Sequence, residues 1–287
     1  MGILFAIIAL FCWGTGDFLI QKSSRRKGVW FTIGGIGAIG AVVLLPFVYE
    51  RIIDIFTTKN HLTLLVITSS VGLGVSLLYF EALRRGKISA LTPILAFEIP
   101  ITVFLAAVVI GEVLSIDQMI LAGVLMLGII LLAVHRFHRI RKIHIEPGAF
   151  LAFFAMIGLG IVNFLVGYTA RQTDPLLINW FMAVFFGLTG LVGMLWTEGK
   201  SRFVEEIKTN KQLVLTMGMF DTLAWVAYAQ ATVYIPIAIA ASLSESYIAL
   251  AAILGLIFNK EKLKPHQYVG LVVIIIAATA LASVTPG

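Results

Sequence analysis

Apolar residues run along this chain in ten blocks, each separated from the next by a short polar or charged stretch. The blocks cover residues 2–20, 29–49, 62–83, 88–110, 116–134, 148–170, 175–196, 213–234, 236–258 and 266–285. Roughly 20 apolar residues in a row are enough to cross a bilayer as a helix. A backbone in lipid finds no water to bond, so segments of this length are expected to be helical. Pro46, Pro93 and Pro100 fall inside blocks, which neighbouring helices can accommodate. The pattern therefore predicts an all-α integral membrane protein with ten transmembrane helices. The first block has no small-residue cleavage pattern before Lys22 and reads as a retained span, not a signal peptide.

A basic stretch, His135–Pro147, separates five blocks from five, and the second five echo the first. Trp13-Gly14-Thr15-Gly16-Asp17-Phe18-Leu19-Ile20 aligns with Leu159-Gly160-Ile161-Val162-Asn163-Phe164-Leu165-Val166. Gly34, Gly37 and Gly40 share their spacing with Gly187, Gly190 and Gly193, runs that allow close helix approach. At an offset of 149, Tyr79 falls on Tyr228, Glu112 on Glu261 and Gln118 on Gln267. Two repeats are expected, 1–140 and 146–287. An odd number of spans in each makes the two run in opposite senses, an arrangement characteristic of transporters, which bind at mid-membrane between the repeats.

Composition sharpens the picture. Of 287 residues 60% are hydrophobic and 13% charged, about half the charge of a soluble chain. The net charge of +6 is spread over short loops and forms no basic face for nucleic acid. Of 21 Lys and Arg, 18 lie in the loops after odd-numbered blocks. By the positive-inside rule those loops are expected in the cytoplasm and both termini outside, in the cell membrane. One cysteine, Cys12, rules out an internal disulfide, and the five histidines lie in or beside loops. No metal or other cofactor is expected. The expected partners are a small-molecule solute and the lipid bilayer, with a homodimer left open.

Several short motifs recur in order along the chain. They are Trp13-Gly14…Phe18, Tyr79…Ala82-Leu83-Arg84-Arg85-Gly86, Gly111-Glu112…Gln118 and Lys260-Glu261…Gln267-Tyr268-Val269-Gly270. With these the chain resembles the drug/metabolite transporter superfamily, specifically its EamA-type members, over essentially its whole length. That resemblance implies a non-enzymatic carrier of small metabolites, built from two inverted five-helix repeats and often working as an exporter.

An ionisable side chain inside a membrane is costly and hence a functional candidate. Five carboxylic acids lie within the blocks: Asp17, Glu81, Glu98, Asp221 and Glu245, and no Lys or Arg lies mid-block. Carboxyls in low dielectric without a cation can take up protons, which suits a proton relay or a site for an amino-bearing solute. Glu98 precedes Pro100, which frees a backbone carbonyl about one turn earlier. Glu245 sits among Ser242, Ser244 and Ser246. Asp17 admits another reading, an interfacial acid beside Lys22 and Arg25, with Asn163 its uncharged counterpart. Glu81 is expected to pair with Arg84 and Arg85, and Glu112 and Glu261 to cap helices. Tyr79, Trp225, Tyr228 and Tyr247 could line the cavity, as could Trp13 and Trp180. The expectation is a secondary transporter exporting an amino-bearing solute by alternating access, coupled to protons or to exchange.

Two other classes use the same residues. Gly14-Thr15-Gly16-Asp17 resembles the catalytic turn of intramembrane aspartyl proteases, and Asp221 could complete a dyad sharing one proton. A passive channel is the other alternative.

Overall fold

The computed structural model describes residues 1–58, 60–133, 147–197, 209–258 and 263–286. The predicted repeat boundary, between 140 and 146, lies outside them, as does Glu261. Among the described residues there are twelve principal helices and no strand. The first six are α1 (Gly2–Lys27), α2 (Val29–Val48), α3 (His61–Arg85), α4 (Ile88–Leu95), α5 (Glu98–Ile110) and α6 (Ile116–Ala133). Their counterparts are α7 (Ala149–Gln172), α8 (Pro175–Thr197), α9 (Lys211–Tyr234), α10 (Ile237–Glu245), α11 (Tyr247–Phe258) and α12 (Pro265–Ser283). Seven are long and apolar enough to cross a membrane unaided.

Two predicted spans are not continuous. The block 88–110 is split into α4 and α5 at Ala96-Phe97, and the block 236–258 into α10 and α11 at Ser246. Phe97 N–H donates to the Ile94 carbonyl (3.2 Å) and Ser246 N–H to that of Leu243 (3.3 Å), the same tightened turn 149 residues apart. Helix starts obey the same offset: Ile88, Glu98 and Ile116 open α4, α5 and α6, while Ile237, Tyr247 and Pro265 open α10, α11 and α12. Pro100 therefore does not kink a through-going helix; it sits in the first turn of α5, where its missing N–H leaves nothing unpaired. The second break has no proline. There the hydroxyls of Ser244 and Ser246 bond the Ala240 and Leu243 carbonyls, competing with the helix ladder.

The principal packing pairs are α2 with α8, α1 with α9, α6 with α12 and α3 with α7. Every one joins the two repeats, and exchanging the repeats maps this set onto itself. Gly34 faces Gly190 while Gly40 faces Ala183, so α2 and α8 run antiparallel; Gly128 against Ile274 and Gly270 against Leu132 show the same for α6 and α12. Equivalent helices thus point in opposite directions, which is the inverted arrangement. Small residues carry these crossings because lipid gives no hydrophobic drive and close backbone approach must supply the attraction.

One polar fastening recurs on both faces. Arg25, near the end of α1, donates to the carbonyls of Leu83 (3.2 Å) and Gly86 at the end of α3, assisted by Gln21. Arg171, at the end of α7, donates to Thr232 (2.6 Å) and Ile235 (2.9 Å) at the end of α9. Arg25 and Arg171 occupy matching positions when Asp17 is laid on Asn163. Replacing either with methionine should cost stability, because the buried helix-terminal carbonyls lose charged donors worth about 1.5–3 kcal/mol each. Thermal unfolding in detergent checks this.

Candidate functional site

The site is built from the two helix breaks outward. Glu98 opens α5 and Glu245 closes α10, so each interrupted span delivers one carboxyl to the centre. These two carboxyls lie within hydrogen-bonding reach of one another. A hydrogen bond between two carboxyl groups requires a proton on one of them.

Around it lies a cavity of about 70 Å³. Asp17 and Trp13 from α1, Tyr79 and Ser76 from α3, Asn163 from α7, Asp221 and Trp225 from α9, and Tyr247 from α11 line it with the pair. Four of the linings are carboxylic acids and none is Lys or Arg. Asp17 accepts a hydrogen bond from the Tyr247 hydroxyl (2.8 Å) and is bonded also to Tyr79. The Trp13 ring meets Trp225 edge-on with centroids 5.2 Å apart, a spacing typical of stable aromatic pairs.

Trp180 is not among the residues lining this cavity, whereas Glu98, Glu245, Asp221, Asp17, Asn163, Tyr79, Trp225, Tyr247 and Trp13 do line it. Tyr228 does not. It is fully buried behind the wall, its ring tilted against Trp13 and its hydroxyl donating to the Asn163 carbonyl at 3.0 Å. The interfacial reading of Asp17 is overturned: α1 continues to Lys27, leaving Asp17 buried and bonded to tyrosines rather than to Lys22 or Arg25. Glu81 pairs with Arg84 (2.7 Å) and Arg85 (2.5 Å), as expected. With Ser76, the residues Ile20, Ile36, Phe80, Leu159 and Phe186 complete the lining but are unremarkable in an apolar sequence, and only Ser76 offers a polar signal. Asp17 and Asp221 share the cavity, and among the described contacts no hydrogen bond joins them.

A second hollow shares Ile36, Ser76, Leu159, Phe186, Asp221 and Trp225 with the first and extends to Asn179 and Met182 on α8. Asp221 is the one acid of the four that fronts both hollows.

Known proteins bear on this arrangement. The model of the EamA-like transporter family matches residues 1–134 and again 146–283. An uncharacterized protein of Methanocaldococcus jannaschii is 31% identical over 134 residues, which cover 46% of this chain and 95% of that protein. That relative is thus about as long as one repeat. A solved crystal structure superposes with a TM-score of 0.72 at 15% identity, covering 97% of this chain and 95% of the other, and shows the same fold.

Proposed function

Because the chain belongs to the EamA-like transporter family, a multi-pass membrane transporter family, we propose that it is a secondary active carrier for a small amino-bearing solute. The solute binds in the central cavity between the repeats, and a proton exchanged at the Glu98–Glu245 pair couples its movement. The observation that carries this reading is that pair, brought together by two symmetric helix breaks in a cavity whose lining is acidic and aromatic and lacks a cation. Such a lining attracts an ammonium group electrostatically, and Trp13, Tyr79 and Trp225 offer ring faces to the same charge. The half-helices meet at the centre as in other carriers with inverted repeats. The distribution of Lys and Arg supports placing the loops after odd-numbered spans in the cytoplasm of a cell-membrane protein, with export as the working direction.

The deciding experiment is solute-induced proton flux in liposomes containing the purified protein, screening amines, amino acids and sugars. Protein-dependent flux should arise with amino-bearing solutes alone. Equal flux with sugars would remove the assigned substrate class, and flux without saturation would indicate a channel. Asp17→Asn should preserve exchange of labelled solute while shifting its apparent affinity, since Tyr247 and Tyr79 keep a hydrogen-bond acceptor there. A proteolytic role would instead require the carboxyl itself.

A further inference from the structure

Glu112 follows Gly111, whose left-handed backbone (φ 66°) ends α5, and its carboxylate reaches across to the other repeat. Its Oε1 accepts from Ile237 N–H (2.9 Å) and its Oε2 from Ala238 N–H (3.1 Å), the free donors at the start of α10. Arg171 donates to the same carboxylate at 3.0 Å while holding the Thr232 and Ile235 carbonyls. The Glu112 side chain is only 9% exposed, while that of Arg171 is 28% exposed.

The geometry has a consequence for α5 and α10. They pack together, run in opposite directions from the membrane centre to one face, and are joined at both ends. At the centre Glu98 meets Glu245; at the face Glu112 holds the α10 N-terminus. We infer that Glu112, with Arg171, is the latch that keeps the two half-helices together on the face of residues 111–115, 173–174 and 235–236, and that α10 relays its state to Glu245. Splitting the central pair by solute or by proton loss frees one end, and only release at Glu112 lets the half-helices part and open that face. The latch is asymmetric by chemistry. A carboxylate suits a helix N-terminus because its two oxygens take two free N–H groups and its charge complements the helix dipole. Another ion pair on this face, Arg51 with Asp174, links the ends of α2 and α8. Those ends are already fixed by the glycine crossing, and so exposed a pair adds little.

This inference rests on the carrier reading for its purpose, but its test needs no solute. Cys12 is replaced by Ala and a reporter thiol is introduced by Ser76→Cys in the cavity wall. A membrane-impermeant maleimide is then applied to whole cells and to inverted vesicles, so that each face is sampled. Glu112→Gln should raise labelling from the face of residues 111–115 by at least about fivefold and lower it from the other, the scale of an ordinary conformational coupling. Arg171→Met should act in the same direction but less, and the exchange Glu112→Arg with Arg171→Glu should not restore the original ratio, since α10 would still lack an acceptor. Unchanged labelling from that face overturns the latch. So does an equal rise from both faces with a lowered Tm, which means loosening alone, and restoration by the exchange, which makes the fastener a simple ion pair. If the predicted labelling shift occurs yet no solute drives proton flux or shows counterflow, the carrier reading fails and the latch stands.

Discussion

Glu98→Gln is expected to abolish accumulation driven by a pH gradient while counterflow of labelled solute continues. With one proton per cycle and one pH unit across the membrane, the limiting accumulation is about tenfold, the free energy of one pH unit. In the variant it should fall to equality on both sides. The side chain keeps its size, and its amide can still bond Glu245, so cavity and helix break are preserved. What is lost is the site where a proton can reside between two carboxyls. Glu245→Gln should behave alike, because the proton belongs to the pair and not to either residue. Asp221→Asn should not, since among the described contacts it shares no hydrogen bond with the pair. Undiminished tenfold accumulation by Glu98→Gln would remove the proton-sharing role from the pair. Loss of both accumulation and counterflow in a well-folded variant would make Glu98 a solute ligand instead.

The parts of this molecule that could be read from the sequence are those that lipid dictates. Block length gave ten spans because an apolar segment must cross the bilayer as a helix. The carboxyls in the site stood out because the surrounding residues are apolar. That same contrast hid Ile36, Leu159 and Phe186, which look like any other membrane residue until their neighbours are known. It also placed Tyr228 wrongly. As the repeat partner of Tyr79 it has a matching sequence position, but Tyr79 meets the cavity while Tyr228 is spent on the Asn163 carbonyl. The helix breaks were obscured by chemistry that differs between copies. One has a proline three residues beyond it and the other a run of serines, and neither signals more than a local weakness. Only their common offset marks them as one feature. Glu112 was legible as a cap, but its helix lies 125 residues further on in the chain, and no local pattern could name it.

Gly37→Leu is expected to prevent assembly of the two repeats. A Cβ at Gly37 would stand 2.6 Å from the Ala183 carbonyl oxygen and 2.7 Å from Gly187 Cα. Both obstacles are backbone of α8, so no rotamer change makes room and the whole helix must withdraw. Overpacking in an ordinary core costs about 1–3 kcal/mol; here the displaced element also carries Phe186 and the contact that ties the repeats together. With about 3 kcal/mol lost, Tm should drop by roughly 6–12 °C, and separation of α2 from α8 along their length would leave no folded species at all. The control is Gly123→Leu on α6, where an added Cβ meets nothing within 4 Å and the side chain enters lipid. Both variants add the same apolar volume to a membrane helix. A monodisperse peak and unchanged Tm for Gly37→Leu in detergent would mean that the α2–α8 crossing is not the fixed axis about which the repeats are joined. Loss confined to Gly37→Leu would locate that axis at the glycines, leaving the half-helices α5 and α10 as the elements free to move.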